Sequence, residues 1–186
     1  MMMRALLLLA LAAPLLLAIP QPAFADKDDD DCFKATLEDK GDRAIEICGR
    51  ILARGRVKDR DLARTLNNRG LGFVTNNDLD KAMSDFDAAV RADPTYPFAY
   101  DNRGDVWRLR KQFDRAIVEY NEALRRDPDF ISSYVNRGMA FEEMGNKLSA
   151  KADYEAVLKM PNKGRPIDKW AREMAESQLK KLGKVE

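Results

Sequence analysis

The chain has 186 residues, of which 45% are hydrophobic and 34% are charged, a composition that is typical of a folded soluble protein. Its 32 Lys and Arg residues almost balance its 31 Asp and Glu residues, so no overall positive field favours nucleic-acid binding. The sequence contains no histidine, which removes the commonest metal ligand and the usual general base near neutral pH. Composition therefore argues against a nucleic-acid partner, a bound metal ion and most acid–base catalysis.

Residues 1–25 have the layout of a secretory signal peptide. Arg4 gives a positive start, residues 5–19 form an apolar run, and Ala-Phe-Ala at 23–25 places small residues before an acidic stretch. An apolar run of about 15 residues is shorter than the roughly 20 that a membrane-spanning helix needs. We expect cleavage after Ala25, export to the periplasm, and a mature chain without a membrane anchor.

Residues 26–58 predict a helical hairpin. Ala44, Cys48 and Ile51 recur at three- and four-residue spacing, which is typical of one face of an α-helix. A shorter helix is expected to precede this one and to run from Asp30 to Leu37. The segment therefore supplies two helices before the next part of the chain, in which the sequence repeats.

Three segments within residues 59–162 superimpose at a spacing of 34 residues, which is the signature of a repeat protein. Each contains an Asn-Arg-Gly triplet with an aromatic residue three positions later, and then an alanine with an aromatic residue four positions later. The recurring residues are Gly70, Gly104 and Gly138; Phe73, Trp107 and Phe141; Ala82, Ala116 and Ala150; and Phe86, Tyr120 and Tyr154. Apolar residues recur at helical spacing in both halves, so each segment predicts a hairpin of two amphipathic α-helices.

The repeats span residues 63–96, 97–130 and 131–162, and their pattern resembles the tetratricopeptide repeat (TPR) family. The second repeat matches the family pattern throughout, with Tyr100, Gly104, Trp107, Phe113, Ala116, Tyr120, Ala123 and Pro128 at the characteristic positions. The resemblance implies an all-α fold, an α-solenoid of stacked helical hairpins, because a single hairpin cannot bury its apolar face alone. The first helix of each repeat is expected to end at a residue that tolerates a left-handed backbone, near Asn77, Lys111 and Gly145.

Under this resemblance, residues 26–58 are a degenerate N-terminal repeat in which Cys32 and Cys48 face the interior of one hairpin. They are the only two cysteines of a chain that we expect to be exported, so we predict a disulfide between them. A closed loop of about 15 residues would contribute roughly 3 kcal/mol to stability. A reactive thiol pair is the alternative, although the sequence has neither a close Cys-X-X-Cys spacing nor a histidine to stabilise a thiolate.

Residues 163–186 predict a C-terminal capping helix. Ile167, Trp170, Ala171 and Met174 recur along one helical face, and charged residues lie largely off that face. Such a helix covers the last hairpin with its apolar side and presents a polar side to water. We expect Trp170 to lie in the core.

The resemblance also implies where a partner binds, because the first helix of each repeat lines the concave face in this family. By position, the residues expected to contact a partner are Asn68, Asn102, Asn136, Phe98, Asp101, Asp105, Arg108 and Met139. The three asparagines precede the repeat glycines by two positions, and their amides can both donate to and accept from a peptide backbone. Their alternative role is to bridge adjacent helices, because the triplet recurs identically in every repeat. The triplet arginines, Arg69, Arg103 and Arg137, are expected to pack and form ion pairs between repeats.

The sequence therefore predicts a non-enzymatic scaffold or adaptor that binds a protein or peptide without a cofactor. One alternative is self-association into a structural homo-oligomer. Another is a hydrolase that uses Asp101 and Asp105, which lie at helical spacing on one face. The sequence has no phosphate loop, serine motif, zinc pattern or cofactor fingerprint, which disfavours the hydrolase. Family members that bind the C-terminal carboxylates of chaperones use groove lysines, and these are missing here, so that partner is not assigned.

Overall fold

The computed structural model describes residues 25–38 and 40–183, and it places side chains from residue 31 onward. This part of the chain is entirely helical and contains no strand. Its helices are α1 (Ala25–Leu37), α2 (Gly41–Ala53), α3 (Asp59–Thr75), α4 (Leu79–Ala92), α5 (Pro97–Leu109), α6 (Phe113–Arg126), α7 (Ile131–Glu143), α8 (Lys147–Lys159) and α9 (Pro166–Leu182). The predicted signal peptide falls almost wholly on residues 1–24, which lie outside the described residues.

The helices form two layers, which follow from the order of their contacts. The inner helices, α1, α3, α5, α7 and α9, each contact the next inner helix along the chain. The outer helices, α2, α4, α6 and α8, contact inner helices only within the described residues. Because neighbouring inner helices touch and neighbouring outer helices do not, the stack curves with the inner helices on its concave side. The all-α solenoid predicted from the sequence is confirmed.

Each repeat hairpin is held together by an aromatic ring that lies against the repeat glycine. A Cβ atom on Gly104 would lie 2.6 Å from the ring of Tyr120, which is fully buried. The same contact recurs between Gly70 and Phe86 and between Gly138 and Tyr154. The inner and outer helices of a hairpin can therefore approach closely only because the inner helix has no side chain at this position.

The turn inside each repeat uses a left-handed residue, as the sequence predicts. Asn77, Lys111 and Gly145 have φ angles of 59°, 57° and 78°. Each follows an inner helix and lets the last carbonyl groups of that helix accept hydrogen bonds from the turn; for example, Phe73 O accepts from Asp78 N–H at 2.8 Å. The same backbone device therefore sets the hairpin geometry in all three repeats.

The N-terminal hairpin, α1 and α2, is built around a disulfide. Cys32 and Cys48 are bonded, with a Cα–Cα distance of 5.3 Å, and both are buried. Ala35, Ala44 and Ile47 pack against them. The predicted short first helix was wrong in its start, since α1 begins at residue 25 and has 13 residues.

The last helix, α9, covers the stack with small side chains rather than with its tryptophan. Ala171 and Ala175 are fully buried, and Asp168 accepts backbone N–H groups from Lys163 at 3.0 Å and Arg165 at 3.2 Å. Trp170 is 39% exposed, so its predicted place in the core was wrong. The two alanines allow a close approach that orients α9 with Trp170 away from the hairpin beneath. None of the helices in the described range has the length and hydropathy required to span a bilayer.

Candidate functional site

The residues predicted to contact a partner all lie on three adjacent inner helices. Asn68 is on α3; Phe98, Asp101, Asn102, Asp105 and Arg108 are on α5; and Asn136 and Met139 are on α7. Since inner helices line the concave side, the predicted residues share one side of the stack, although Asn68, Asp101 and Asn136 are buried there.

The repeat asparagines connect neighbouring inner helices. Asn102 Nδ2 donates to Asn67 Oδ1 at 2.8 Å, so α5 is joined to α3. Asn136 Nδ2 donates to both carboxyl oxygens of Asp101 at 3.3 Å, so α7 is joined to α5 in the same way. Asn68 is also buried. The bridging role is therefore present for two of the asparagines, and their contact with a partner stays a prediction.

Asp101 and Asp105 form a carboxyl pair that converges on one amide group. Asp101 is 5% exposed, and it accepts hydrogen bonds from Ser133 Oγ and Asn136 Nδ2. Asp105 Oδ2 lies 3.5 Å from the same Nδ2 atom, and its Oδ1 accepts from Tyr120 Oη at 2.8 Å. Sequence reasoning found the two acids but not Ser133 or Tyr120, which come from other helices.

The environment of this pair favours its protonated form. Burial, and after it the negative charge of Asp105, raises the pKa of Asp101 to about 8, against the opposing hydrogen bonds from Ser133 and Asn136. Burial also raises the pKa of Asp105, although the hydrogen bond from Tyr120 and the charge of Arg108 oppose the shift. Among the described residues, no cluster of His, Cys, Asp or Glu could hold a metal ion. The geometry is that of a buried hydrogen-bonded link between helices.

Beyond this pair the concave surface carries further acidic groups around one arginine. Arg108 Nη1 donates to Glu143 Oε1 at 3.2 Å, and its Nε lies 3.8 Å from Asp105 Oδ1. Glu142 Oε2 accepts from Tyr154 Oη at 3.0 Å. Arg108 on α5 is therefore paired with Glu143 on α7 and lies near Asp105, and Glu142 adds a further carboxyl group on α7.

A depression of about 330 Å³ opens beside these groups, between α7 and α9. Its lining residues are Met139, Glu142, Glu143 and Gln178. Gln178 is on α9 and was not predicted as a site residue. Aligning α9 with the inner helices of the repeats would have indicated that residues of α9, such as Gln178, can line this surface.

Helix α9 can be aligned with the inner helices of the repeats by its contacts and by its first residue. α9 packs on α7 and α8 as α7 packs on α5 and α6, and both α9 and α5 begin with proline. Aligning Pro166 with Pro97 places Lys169, Glu173 and Glu176 where Tyr100, Gly104 and Trp107 face the outer helix of a hairpin. These three charged residues are exposed in α9. The same alignment places Ile167 and Trp170 at the positions of Phe98 and Asp101, which belong to the concave surface.

Phe98 belongs to an aromatic group at the N-terminal ends of α5 and α7. Its ring is 4.6 Å from that of Phe130 and 5.2 Å from that of Tyr96, measured between centroids, and its side chain is 46% exposed. The Arg60 guanidinium lies 5.1 Å from the centroid of the Tyr96 ring. The concave surface therefore has an apolar edge at these helix ends and an acidic region farther along α7.

Two of the triplet arginines, Arg103 and Arg137, join neighbouring repeats as predicted, whereas Arg69 pairs with Asp85 of its own repeat at 2.6 Å. Arg137 binds Asp153 of its own repeat through two hydrogen bonds of 2.9 and 2.6 Å, and it also reaches Asn121 of the preceding repeat. Arg103 likewise joins Glu119 at 2.7 Å to Asp87 at 2.8 Å. These side chains face outer helices, so they are not available to a ligand on the concave surface.

Comparison with known proteins identifies the repeats. A tetratricopeptide repeat model matches residues 63–96 and 131–163, and a TPR repeat model matches residues 104–145. The chain is 39% identical over 49 residues to the tetratricopeptide repeat domain-containing protein PYG7, chloroplastic, of Arabidopsis thaliana. This match covers 26% of the chain and only 16% of the length of that relative.

Solved structures of repeat proteins share the fold. The first TPR domain of Spaghetti (RPAP3), bound to the HSP90 peptide SRMEEVD, is 25% identical, with a TM-score of 0.59 over 69% of this chain and 95% of that one. MamA is 20% identical, with a TM-score of 0.56 over 84% of this chain and 83% of that one, and it is similar in fold alone. The matched repeat models and the shared architecture show that the chain belongs to the tetratricopeptide repeat family.

Proposed function

We propose that this protein is an exported, non-enzymatic scaffold that binds a segment of another protein along its concave surface. The observation that carries the proposal is the composition of that surface. It combines the exposed aromatic side chain of Phe98 with a depression that is lined by Met139 and by polar groups. Exposed apolar area next to specific polar groups is typical of a recognition surface.

The solved relatives support a peptide as the bound segment. The first TPR domain of Spaghetti (RPAP3) was solved with an HSP90 peptide, and it matches 69% of this chain. A fold that takes a peptide in one member offers the same kind of curved inner surface in another, although the side chains decide what is bound. We therefore assign the binding mode from the fold and leave the ligand to the chemistry of this chain.

The disulfide supports export. Cys32 and Cys48 are bonded inside the small α1/α2 hairpin, and disulfides of this kind persist in oxidising compartments such as the periplasm. The apolar run at residues 5–19 and the small residues at 23–25 agree with the same route. A buried disulfide also argues against a redox role, because the bonded sulfur atoms are out of reach of a substrate.

A structural role for the carboxyl pair supports the non-enzymatic assignment. Asp101 is almost fully buried, and both of its oxygens are already hydrogen-bonded within the stack. A catalytic carboxyl group must reach the reacting atoms of a substrate. This geometry therefore disfavours the hydrolase that the spacing of Asp101 and Asp105 suggested.

Site-specific photo-crosslinking in intact cells tests the proposal. A photo-reactive residue in place of Phe98 reports on the concave surface, and one in place of Val118, which is 59% exposed on the outer helix α6, is the matched control. We expect one partner to be captured from position 98 and not from position 118. Capture from position 118 alone would contradict the proposal, and capture of a second copy of this chain would favour the homo-oligomer instead.

A further inference from the structure

The charge of the concave surface varies along the stack, and its acidic part includes the depression between α7 and α9. The depression between α7 and α9 contains Glu142 and Glu143, and Glu143 is exposed to 44% of its side-chain area. Asp105 and Arg108 lie beside it on α5. A group that enters the depression therefore meets more negative than positive charge.

The amide group of Gln178 also lines the depression. Its Oε1 atom has almost no exposed surface, and in the part of the chain that the structure describes it has no hydrogen-bond partner. A buried polar atom without a partner costs roughly 1–3 kcal/mol, so a rotation of this amide that lets it accept from a bound donor would be favourable. The depression therefore has two carboxylates, and the amide of Gln178 adds a third acceptor once it rotates.

The other side of the depression is apolar. Met139 lines it with a flexible thioether side chain that adapts to different shapes. Lysine and arginine combine an aliphatic stem with a charged end that only donates hydrogen bonds. Such a side chain matches the thioether along its stem and the three acceptor groups at its end.

We propose that the depression lined by Met139, Glu142, Glu143 and Gln178 binds a lysine or arginine side chain of a positively charged partner segment. This inference rests on the proposed function, since it names the kind of segment that the concave surface binds. An acidic peptide such as SRMEEVD, which the Spaghetti (RPAP3) domain binds, would bring its carboxylates against those of Glu142 and Glu143. The two proteins share a fold and differ in the charge that they select.

Selection from a phage library of random heptapeptides on the purified protein tests the inference. We expect the selected peptides to carry Lys or Arg at one fixed position, and their affinity to fall as salt is raised. Selected peptides that are acidic, or that have no charge preference, would overturn this inference and leave the scaffold proposal standing. Failure to select any peptide would contradict both proposals.

A pair of variants then locates the charge that is recognised. Glu143→Gln removes the exposed carboxylate of the depression, and Glu173→Gln makes the same change on the exposed outer side of α9. For a selected basic peptide measured by fluorescence anisotropy, we expect Kd to rise about fivefold for E143Q and by less than twofold for E173Q. Unchanged binding by E143Q, with an unchanged circular dichroism spectrum, would place the cation elsewhere and refute the inference.

Discussion

The substitution Asp101→Asn tests the account of the buried carboxyl pair. In the first repeat the equivalent position is Asn67, whose Oδ1 accepts a 2.8 Å hydrogen bond from Asn102. An amide at position 101 can accept from Asn136 in the same way, so the link between α5 and α7 is kept. The substitution then removes only the ionisable group.

The size of the effect follows from the shift in pKa. Burial raises the pKa of Asp101 from 3.8 to about 8, so the folded state binds its proton more tightly than the unfolded state. The part of the free energy of unfolding that depends on Asp101 is therefore at its highest below pH 3.8. It falls as the pH rises towards 8. At about 1.4 kcal/mol per pH unit, ionisation of Asp101 removes on the order of 4 kcal/mol between pH 5 and pH 8.

Urea unfolding followed by circular dichroism at pH 5, 6, 7 and 8, with the disulfide intact, measures this effect. We expect the free energy of unfolding of the wild type to fall over this range, and that of D101N to fall less, because only the raised pKa of Asp105 remains in the variant. Asp114→Asn, at an exposed position on α6, serves as the control and should follow the wild type. Parallel pH profiles for D101N and the wild type would refute the conclusion that Asp101 is held protonated.

Two further predictions concern the packing of the hairpins. Gly104→Ala places a Cβ atom 2.6 Å from the Tyr120 ring, so we expect the free energy of unfolding to fall by about 1–3 kcal/mol in urea titrations. Gly49→Ala meets no atom within 4 Å and should instead stabilise helix α2 by about 0.5–1 kcal/mol; equal effects would contradict the packing argument. Replacing both Cys32 and Cys48 by serine should cost about 3 kcal/mol, and the native protein should resist iodoacetamide until it is reduced. Alkylation without reductant would show that the bond is absent.

The repeat architecture could be predicted because its contacts are local and recur. The ring of Tyr120 lies against Gly104, 16 residues away on the neighbouring helix, and both residues recur with the repeat. The left-handed turn at Lys111 was likewise predicted from its position, although lysine is a poor residue for that backbone. Patterns of this kind express contacts within one hairpin, and one hairpin is short enough to be specified by its own sequence.

The contacts between repeats could not be predicted in the same way. The bond from Ser133 to Asp101 and the position of Gln178 beside Met139 depend on how neighbouring inner helices lie against each other. That orientation is set by the packing of small residues at each interface, which the repeat pattern does not specify. The error for Trp170 has the same origin, because Ala171 faces the hairpin in its place.

We propose that the inner helices, and not the outer ones, bind a partner. The most direct measurement is the change in the backbone amide signals of the labelled protein in NMR spectra on addition of a peptide selected from the phage library. We expect the largest changes along α5, α7 and α9, with those near Met139 and Gln178 among them. Changes confined to α4, α6 and α8 would contradict the claim.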